Sequence, residues 1–472
     1  MQKKLIALLM SVLMLVSVCG LSGCTIGKGN STNAFVVPET GFNIDEPVEI
    51  TFTHTMGSKL QDVLNAYIEE FNKIYPNITI THQSAGGWGD INGQINTEIA
   101  GGNQPNIAYC YPDHVAMYNI AKSVVVLDNL IDSDVALGDG IIGLTDAEKA
   151  DFVESYYNEG TVYGDNSMYT MPLSKSTEVL YYDKTFFAAN GLTVPTTWDE
   201  LWDTCAKIKA IDPNCYPLGY DAEDNWFITL CEQMKSGYTS AENGGEYLFN
   251  NDTNKGFIKN LRENYQKGHF TTQELYGSYT SNLFVETTDT RCYMCVGSSG
   301  GASYQMSNND TGDGTFAFEV GVAPIPQYDN SNRKVISQGP SLCILKGGKT
   351  TDQQVLASWL FVKFLCTNVE FQAEFSMASG YMPVINSVVN NSAYSNWLGT
   401  ANGYENLVAQ CVKVGIENRN DYFVSPAFKG SSTARVQVGD LLLKCMVEEA
   451  ADDAAVDALI NQAFAEAIDE CE

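Results

Sequence analysis

The stretch TMPLSKSTEVLYYDKTFF, residues 170–187, decides how the rest of this chain is organised. Its apolar positions alternate with small polar ones, and this pattern predicts a half-buried β-strand. One α/β unit is predicted before the strand and a second after it, so the strand would carry the backbone from one lobe to the other. The hydroxyls of Ser174, Ser176 and Thr177 suit a ligand held beside such a crossing, although solvated strand residues would show the same pattern.

Length and charge limit the class of protein. At 472 residues the chain exceeds what one hydrophobic core usually organises, so two domains are expected. Its formal net charge of −30 argues against a nucleic-acid partner, because both surfaces would repel each other. A small anionic ligand stays possible where local cations and backbone N–H groups dominate the field inside a cleft.

Residues 1–23 have the pattern of a signal peptide, with Lys3 and Lys4 before an apolar segment. The segment ends in LSGC, which resembles a bacterial lipobox and predicts lipidation of Cys24. An ordinary secretory signal cleaved nearby is the alternative. Residues 24–46 are predicted to form a flexible tether, so we expect a protein lipid-anchored to the outer face of the cytoplasmic membrane.

Strand and helix patterns alternate along the chain, which predicts an α/β fold with mostly parallel, covered sheets. Thr197 to Glu200 match a capping box, which predicts the start of a helix through Ile211. Pro324 and Pro326, and later the sequence GYMP at residues 380–383, mark further crossings between the lobes. We expect a first lobe of residues 47–178 and 325–382. The second lobe would comprise residues 179–324 and 383–472 and end in a C-terminal helical extension.

No catalytic residue, metal ligand or cofactor is predicted. Residues 297–301, GSSGG, match the G-x-S-x-G motif of hydrolases, but all four histidines precede Ser299, against the order that fold requires. The remaining interpretation is a turn whose free backbone N–H groups bind an oxygen-rich or anionic ligand; a plain helix cap is the alternative. Candidate disulfides pair Cys205 with Cys215, or Cys292 with Cys295.

Aromatic residues give a positive indication of function. Six Trp, 25 Tyr and 21 Phe supply more flat apolar surface than two cores need. Trp88, Trp226 and Tyr381 lie at predicted loop starts, where flat rings suit the C–H faces of sugars or polyols. Core packing is the alternative for any one of them.

The chain resembles family 1 extracellular solute-binding proteins of ABC importers, the class that includes maltose and glycerol-3-phosphate binders. Five stretches carry the resemblance, in the family's order: VEITFTHTM, STEVLYYDKTFFAANGLTVPTTWDEL, CYMCVGSSGG, GPSLCIL and SGYMPV. They span nearly all of residues 46–468, and YYDK followed by TWDEL is the most specific part. The resemblance implies a two-lobe periplasmic-binding-protein fold of the type II-like kind with multiple hinge crossings.

The glycerol-3-phosphate and glycerophosphodiester branch looks closest, and the resemblance implies ligand contacts from eight residues: Trp88, Asp113, Ser176, Trp226, Ser298, Gly339, Tyr381 and Arg435. Trp88 stands where that branch has Tyr, so stacking would remain without the hydroxyl bond. The branch's acid falls at Pro112, with Asp113 one place later. Arg435 would be a planar fork for a phosphate, with an ordinary helix-surface ion pair as the alternative.

We therefore expect a monomeric substrate-binding lipoprotein that captures a carbohydrate or a glycerophosphate-type solute and delivers it to membrane permease subunits. It would do no chemistry. A secreted carbohydrate-active hydrolase or esterase is the alternative, and a cell-surface adhesin is a third possibility.

Overall fold

A computed structural model describes residues 34–286, 290–306, 317–400 and 403–472. Two large sheets organise these residues, and each has its own hydrophobic core, which confirms the predicted two-lobe α/β architecture. The predicted signal peptide, Cys24 and residues 25–33 of the predicted tether lie outside the described residues.

The first lobe is built on five strands: β1 (Val48–His54), β2 (Ile78–Ser84), β3 (Ile107–Cys110), β6 (Met171–Pro172) and β15 (Ser341–Ile344). Their order in the sheet is β2-β1-β3-β15-β6. β1 runs parallel to β2 and β3, so helices must connect these strands, and helices α1 (Ser58–Ile74) and α2 (Trp88–Gly101) do so. Helix α3 (Pro112–Tyr118) follows β3 directly. The starts of α2 and α3 therefore lie at the carboxyl edge of the sheet, where α/β proteins bind ligands.

The second lobe is built on seven strands: β7 (Ser176–Asp183), β8 (Tyr216–Tyr220), β11 (Phe270–Thr272), β12 (Cys292–Ser298), β13 (Val320–Pro324), β14 (Val335–Gln338) and β16 (Tyr422–Phe423). Their order is β11-β8-β12-β7-β14-β16, with β13 also paired to β7. β8 is parallel to β11 and β12, whereas β7 is antiparallel to β12. Two small hairpins, β4 (Ala136–Leu137) with β5 (Gly140–Ile141) and β9 (Thr239–Ser240) with β10 (Glu246–Tyr247), complete the strands of the described residues.

The remaining helices cover the sheets. They are α4 (Asp128–Ile131), α5 (Asp146–Asp151), α6 (Glu154–Asn158), α7 (Lys184–Asn190), α8 (Trp198–Ile211), α9 (Glu223–Met234), α10 (Asp252–Gln266), α11 (Gln273–Tyr276), α12 (Ser281–Val285), α13 (Asp352–Thr367), α14 (Val369–Ser379), α15 (Asn386–Asn390), α16 (Ser392–Thr400), α17 (Gly403–Glu417), α18 (Ser431–Val447) and α19 (Asp453–Asp469). The capping box predicted at Thr197 is present, since its hydroxyl accepts from the Glu200 N–H at the start of α8. The C-terminal helices form the expected extension, and α18 and α19 pack into the core of the second lobe.

The backbone crosses between the lobes at positions that differ from the predicted boundaries: the first crossing comes earlier, and the next two come later. The crossing strand β7 belongs to the second sheet from Ser176 onward. β14 also belongs to the second sheet, so residues 335–338 lie in the second lobe, although the prediction assigned residues 325–382 to the first. The chain returns to the first sheet only at Ser341. Residues just after 383 still pack in the first core, among them Val384, Val388 and Tyr394. These differences arise because pairing in a sheet, rather than the prolines, decides to which lobe a segment belongs.

Two further expectations are corrected. Residues 34–46 are not a free tether, because Phe35 and Phe42 are buried in the first core. The Asn43 N–H also donates to Gln353 Oε1 at 2.8 Å. All eleven described cysteines are free, so the disulfides proposed for Cys205 and Cys215, and for the C-x-x-C pair, do not form. Among the described helices, none combines the length and the apolar character needed to cross a bilayer.

Candidate functional site

Two crossing strands touch at the base of the cleft between the lobes. Ser176, at the start of β7, pairs with Gln338 at the end of β14, and Gly339 follows. Gly339 has φ +97°, and a Cβ there would lie 2.6 Å from the Ser174 carbonyl oxygen and 2.8 Å from the Ser176 nitrogen. Only glycine fits this approach. The structure therefore places two predicted site residues, Ser176 and Gly339, side by side.

A buried ion pair fixes the same crossings. Lys175 Nζ lies 2.6 Å from Glu159 Oε1 and donates to Ser341 Oγ at 3.1 Å, and the lysine side chain is fully buried. Ser337 Oγ donates to the second oxygen of Glu159 at 3.2 Å. The Lys175 N–H also donates to the Met382 carbonyl at 3.0 Å. Through its side chain and its backbone, Lys175 thus contacts residues of both other chain crossings, and sequence reasoning did not find this buried ion pair.

An aromatic wall lines the first lobe. Trp88 is the first residue of α2 and follows β2 after a three-residue connection. Its ring centroid lies 4.2 Å from that of Tyr111 and 6.1 Å from that of Tyr109. Burial raises the pKa of Tyr111 well above its usual range, and its hydroxyl lies within interaction range of Tyr381 and the Gly339 backbone. Trp88, Gly339 and Tyr381 are therefore gathered around Tyr111, a residue missing from the sequence prediction.

The Gly/Ser turn of the second lobe rests against Tyr381. A Cβ on Gly300 would lie 2.8 Å from Cζ of the Tyr381 ring, and a Cβ on Gly380 would lie 2.5 Å from the Ser299 carbonyl oxygen. Ser298 caps this turn, accepting from the Gly300 N–H at 3.2 Å. Ser299 is buried, and its Oγ accepts from the Thr177 N–H at 3.3 Å, which is a structural role. The geometry thus supports the helix-cap interpretation, and the turn that Ser298 caps packs against Tyr381 through Gly300.

Arg435, on α18, connects the two lobes. Its Nε lies 3.1 Å from Asp113 Oδ2 in the first lobe, and its terminal nitrogen lies 2.9 Å from Asp224 Oδ2 in the second. The same nitrogen donates to Asn225 Oδ1 at 2.5 Å. Burial opposes ionisation of Asp113, yet the guanidinium holds the pKa of Asp113 below its ordinary value. One cation is therefore neutralised by an acid from each lobe.

The two second-lobe residues that bond to Arg435 come directly after an unusual backbone turn. Ala222, the residue before α9, has φ +63° and ψ +76°, a left-handed conformation that L-residues avoid. It directs the first turn of α9, which carries Asp224 and Asn225, toward Arg435. Strained backbone of this kind is concentrated at functional sites. No sequence pattern indicated the left-handed conformation of Ala222, and only proximity to Trp226 pointed to Asp224.

Trp226 does not line the cleft. Its side chain is fully buried in the core of the second lobe and stacks on Tyr220, with ring centroids 4.2 Å apart and planes 3° apart. Tyr220 in turn donates to Glu178 Oε2 at 2.7 Å. Trp226 therefore supports the cleft from behind, because core packing outweighed the loop-start signal.

Several polar atoms around the cleft are buried and have no hydrogen-bond partner among the described residues: Tyr109 Oη, Ser174 Oγ, Glu178 Oε1, Tyr238 Oη and Gln338 Oε1. Buried polar atoms in native proteins are normally paired with protein, ligand or water. This arrangement is suited to a hydroxyl-rich molecule. A separate cavity of about 450 Å³ lies between Val162 and Gly164 on one side and Ala241 to Gly244 on the other, and none of the eight predicted residues lines it.

Within the part of the chain that the structure describes, no group of three or more His, Cys, Asp or Glu side chains is placed to hold a metal ion. Seven of the eight predicted site residues lie where the two lobes meet, and Trp226 is the exception. Tyr111, Glu178, Asp224, Asn225 and Tyr238 lie beside them and were not in the prediction.

Comparison with known proteins gives one family. A family model described as bacterial extracellular solute-binding protein matches residues 66–401. The sn-glycerol-3-phosphate-binding periplasmic protein UgpB of Pectobacterium atrosepticum is 24% identical over 351 residues, which cover 71% of this chain and 73% of that protein.

Solved structures show the same fold. UgpB from Mycobacterium tuberculosis in complex with glycerophosphocholine aligns with a TM-score of 0.68 at 16% identity, covering 90% of this chain and 98% of that one. The cyclic alpha-maltosyl-1,6-maltose binding protein from Arthrobacter globiformis aligns with a TM-score of 0.65 at 19% identity, covering 89% and 100%. The two-lobe periplasmic-binding-protein fold is therefore confirmed.

Proposed function

Since the chain belongs to the family of bacterial extracellular solute-binding proteins, we propose that it is the substrate-binding component of an ABC importer. Its solute would be a carbohydrate or a glycerophosphate-type polyol, held in the cleft between the lobes and passed on unchanged to permease subunits. Relatives that bind sn-glycerol 3-phosphate, and similar folds that bind maltose-type sugars, support this class of solute.

Within this class, a neutral sugar fits the cleft better than a phosphate. The observation that carries this proposal is the pairing of Arg435 with Asp113 and Asp224. A phosphate would have to displace at least one carboxylate and then lie beside it, since both acids sit at the guanidinium. A neutral sugar needs no such exchange. The aromatic wall of Trp88 and Tyr111 and the unpartnered polar atoms can meet its C–H faces and its hydroxyls.

The proposed mechanism is closure of two lobes on the solute. Arg435 and Asp113 already make contact across the cleft, and a solute that touches both lobes would shift the population further toward this closed arrangement. Small-angle X-ray scattering should then show a smaller radius of gyration with bound solute. An adhesin with no such solute predicts no change.

We further propose that Cys24 carries the lipid anchor and that a monomer works at the cell surface. These proposals are supported by the LSGC sequence and the family. Mass spectrometry of the purified N-terminus would detect the diacylglyceryl modification of Cys24, and an unmodified cysteine would contradict it.

A thermal-shift and calorimetry panel tests the solute class: maltotriose, D-tagatose, glycerophosphocholine and sn-glycerol 3-phosphate. We expect at least one neutral sugar to raise the melting temperature, because a ligand that binds only the native state stabilises it. We expect the two phosphate-bearing probes to bind more weakly. If only these two bind, the preference for a neutral sugar is wrong, and if a probe is converted to product at a sustained rate, the binding-only function is wrong.

Arg435→Ala tests the role of the interlobe ion pairs. It removes the cation and leaves Asp113 and Asp224 facing each other, so affinity for the best probe should fall at least tenfold. Arg333→Ala is the matched control, since Arg333 is similarly half-buried but pairs with Asp421, which places it outside the ion pairs of Arg435. Equal effects of the two substitutions would contradict the assignment.

A further inference from the structure

We infer that Glu178 is an additional ligand-binding residue, which presents a neutral carboxylic acid to the cleft and donates a hydrogen bond to an oxygen of the solute. This inference rests on the proposed function. Glu178 is two residues from Ser176 on β7, so both side chains project from the same face of the strand. Its partner across the sheet is Ser298. Glu178 thus stands between two predicted site residues.

The two carboxyl oxygens of Glu178 have different surroundings. Oε2 accepts a hydrogen bond from the Tyr220 hydroxyl at 2.7 Å. Oε1 is buried and forms no hydrogen bond of standard geometry with the described residues, although the Asn225 side chain lies close enough to interact with the carboxyl group. The glutamate is only 2% exposed. Because Oε2 is occupied as an acceptor, a proton on the acid would reside on Oε1, which is then free to donate to a ligand.

The charges that face Glu178 favour its neutral form. The pKa of Glu178 is raised to about 8, and burial is the main cause. The Tyr220 hydrogen bond lowers this pKa, whereas the Asp224 carboxylate raises it. A hydrogen bond from the Asn225 side chain lowers the pKa, and so does the positive charge of Arg435. These groups, with the uncharged Asn225, face Glu178 from β8, α9 and α18. An ordinary glutamate would be ionised near neutral pH, whereas this one can act as a donor.

Asp113, Arg435, Tyr381 and Tyr238 keep their state of charge between pH 7 and 9.5. The pKa of Asp113 lies below its ordinary value and that of Arg435 lies above its ordinary value, so both stay charged between pH 7 and 9.5. Burial raises the pKa of Tyr381 to about 12 and that of Tyr238 well above the usual tyrosine range. A change of affinity in this range therefore reports on Glu178.

The test is isothermal titration of the purified protein with the four probes named above, from pH 6 to pH 9.5. Wild type should bind its best probe with constant affinity below about pH 8 and lose up to about tenfold per pH unit above it, because only the protonated acid donates. Glu178→Gln keeps a neutral donor, so it should bind within about threefold of wild type at pH 6 and stay constant to pH 9.5. Glu178→Ala should bind about tenfold more weakly at pH 6, since a buried hydrogen bond is lost.

The possible failures are distinguishable. If no probe binds wild type, the proposed function is wrong and this inference falls with it. If a probe binds but Glu178→Ala matches wild type, Glu178 does not contact the solute. If wild type binds more tightly above pH 8, the ionised carboxylate accepts from the solute, and the donor role is overturned. Melting temperatures of the ligand-free variants at pH 6 separate loss of folding from loss of binding.

Discussion

The buried ion pair at the chain crossings gives the sharpest prediction about stability. Lys175 is completely buried, Glu159 is 4% exposed, and their charged atoms lie 2.6 Å apart. Lys175→Met replaces the cation with an apolar side chain of similar length and leaves the Glu159 carboxylate without its cation. Removing one partner of a buried pair costs ~3–5 kcal/mol, because the remaining charge is neither solvated nor neutralised. The free energy of unfolding should fall by that amount.

The paired substitution Lys175→Met with Glu159→Gln removes both charges. It should recover most of the loss, since the desolvation cost of the carboxylate disappears with its charge. The hydroxyls of Ser341 and Ser337, which bond to the pair, would lose their charged partners, so a residual cost of ~1–2 kcal/mol is expected. A coupling of ~2 kcal/mol or more between the two sites should therefore appear in the double-mutant cycle.

The assay is urea unfolding followed by tryptophan fluorescence and far-UV circular dichroism. Lys73→Met is the control, because Lys73 pairs with Glu70 at 2.5 Å on the surface, where the two side chains are 67% and 54% exposed. This exposed pair should be worth at most ~0.5 kcal/mol. A loss below ~1 kcal/mol in Lys175→Met, or additive effects in the cycle, would refute the reasoning.

Three further outcomes are expected. Gly339→Ala should destabilise the protein by ~2–4 kcal/mol in urea unfolding, because the φ of +97° and the close backbone contacts of Gly339 exclude a Cβ. Gly102→Ala is the control and should cost only ~1 kcal/mol, because Gly102 has φ +68° and open space around it. Burial and the neighbouring His82 lower the pKa of His54 to about 4, so as the pH falls the unfolded chain takes up a proton before the folded protein does. The free energy of unfolding should therefore drop by up to ~1.4 kcal/mol per pH unit from pH 6.5 to 4. His54→Asn should lack this pH-dependent loss. The folded pKa of Glu178 is raised from 4.5 to about 8, so its contribution to stability is complete below pH 4.5 and is lost as the pH rises to 8. The stability of Glu178→Gln relative to wild type should therefore rise by up to ~1.4 kcal/mol per pH unit in that range. A difference that stays constant with pH would contradict the raised pKa.

Local sequence patterns were sufficient for much of this protein. The alternation in residues 170–187 predicted a half-buried strand that enters the second lobe. The strand that pairs there spans Ser176–Asp183, and all but one of its residues are buried. The capping box at Thr197 located the start of a helix to the residue. These features succeed because hydrogen bonding and burial within a few residues determine them. The glycines near Ser176 and Tyr381 also marked places where two chain segments touch.

Other features depend on residues that are distant in the sequence. Lys175 and Glu159 looked like ordinary charged residues, and their burial depends on strands that close over them from residues 337–341. Arg435 could be a phosphate fork or an ion-pair partner by sequence, and only the approach of α3 and α9 from two lobes gives it two carboxylates. Trp226 looked like a cleft residue, but its ring is enclosed by the second core.

The sequence by itself determined the class of fold and the order of strands and helices, since these follow from periodicity, capping and turn chemistry. The candidate cleft residues came from the resemblance to a known family. Tertiary structure alone decided the state of charge in the cleft. Whether a carboxylate is ionised, paired or protonated depends on burial and on charges brought close by folding, and the sequence separation of Asp113, Glu178 and Arg435 conceals that proximity.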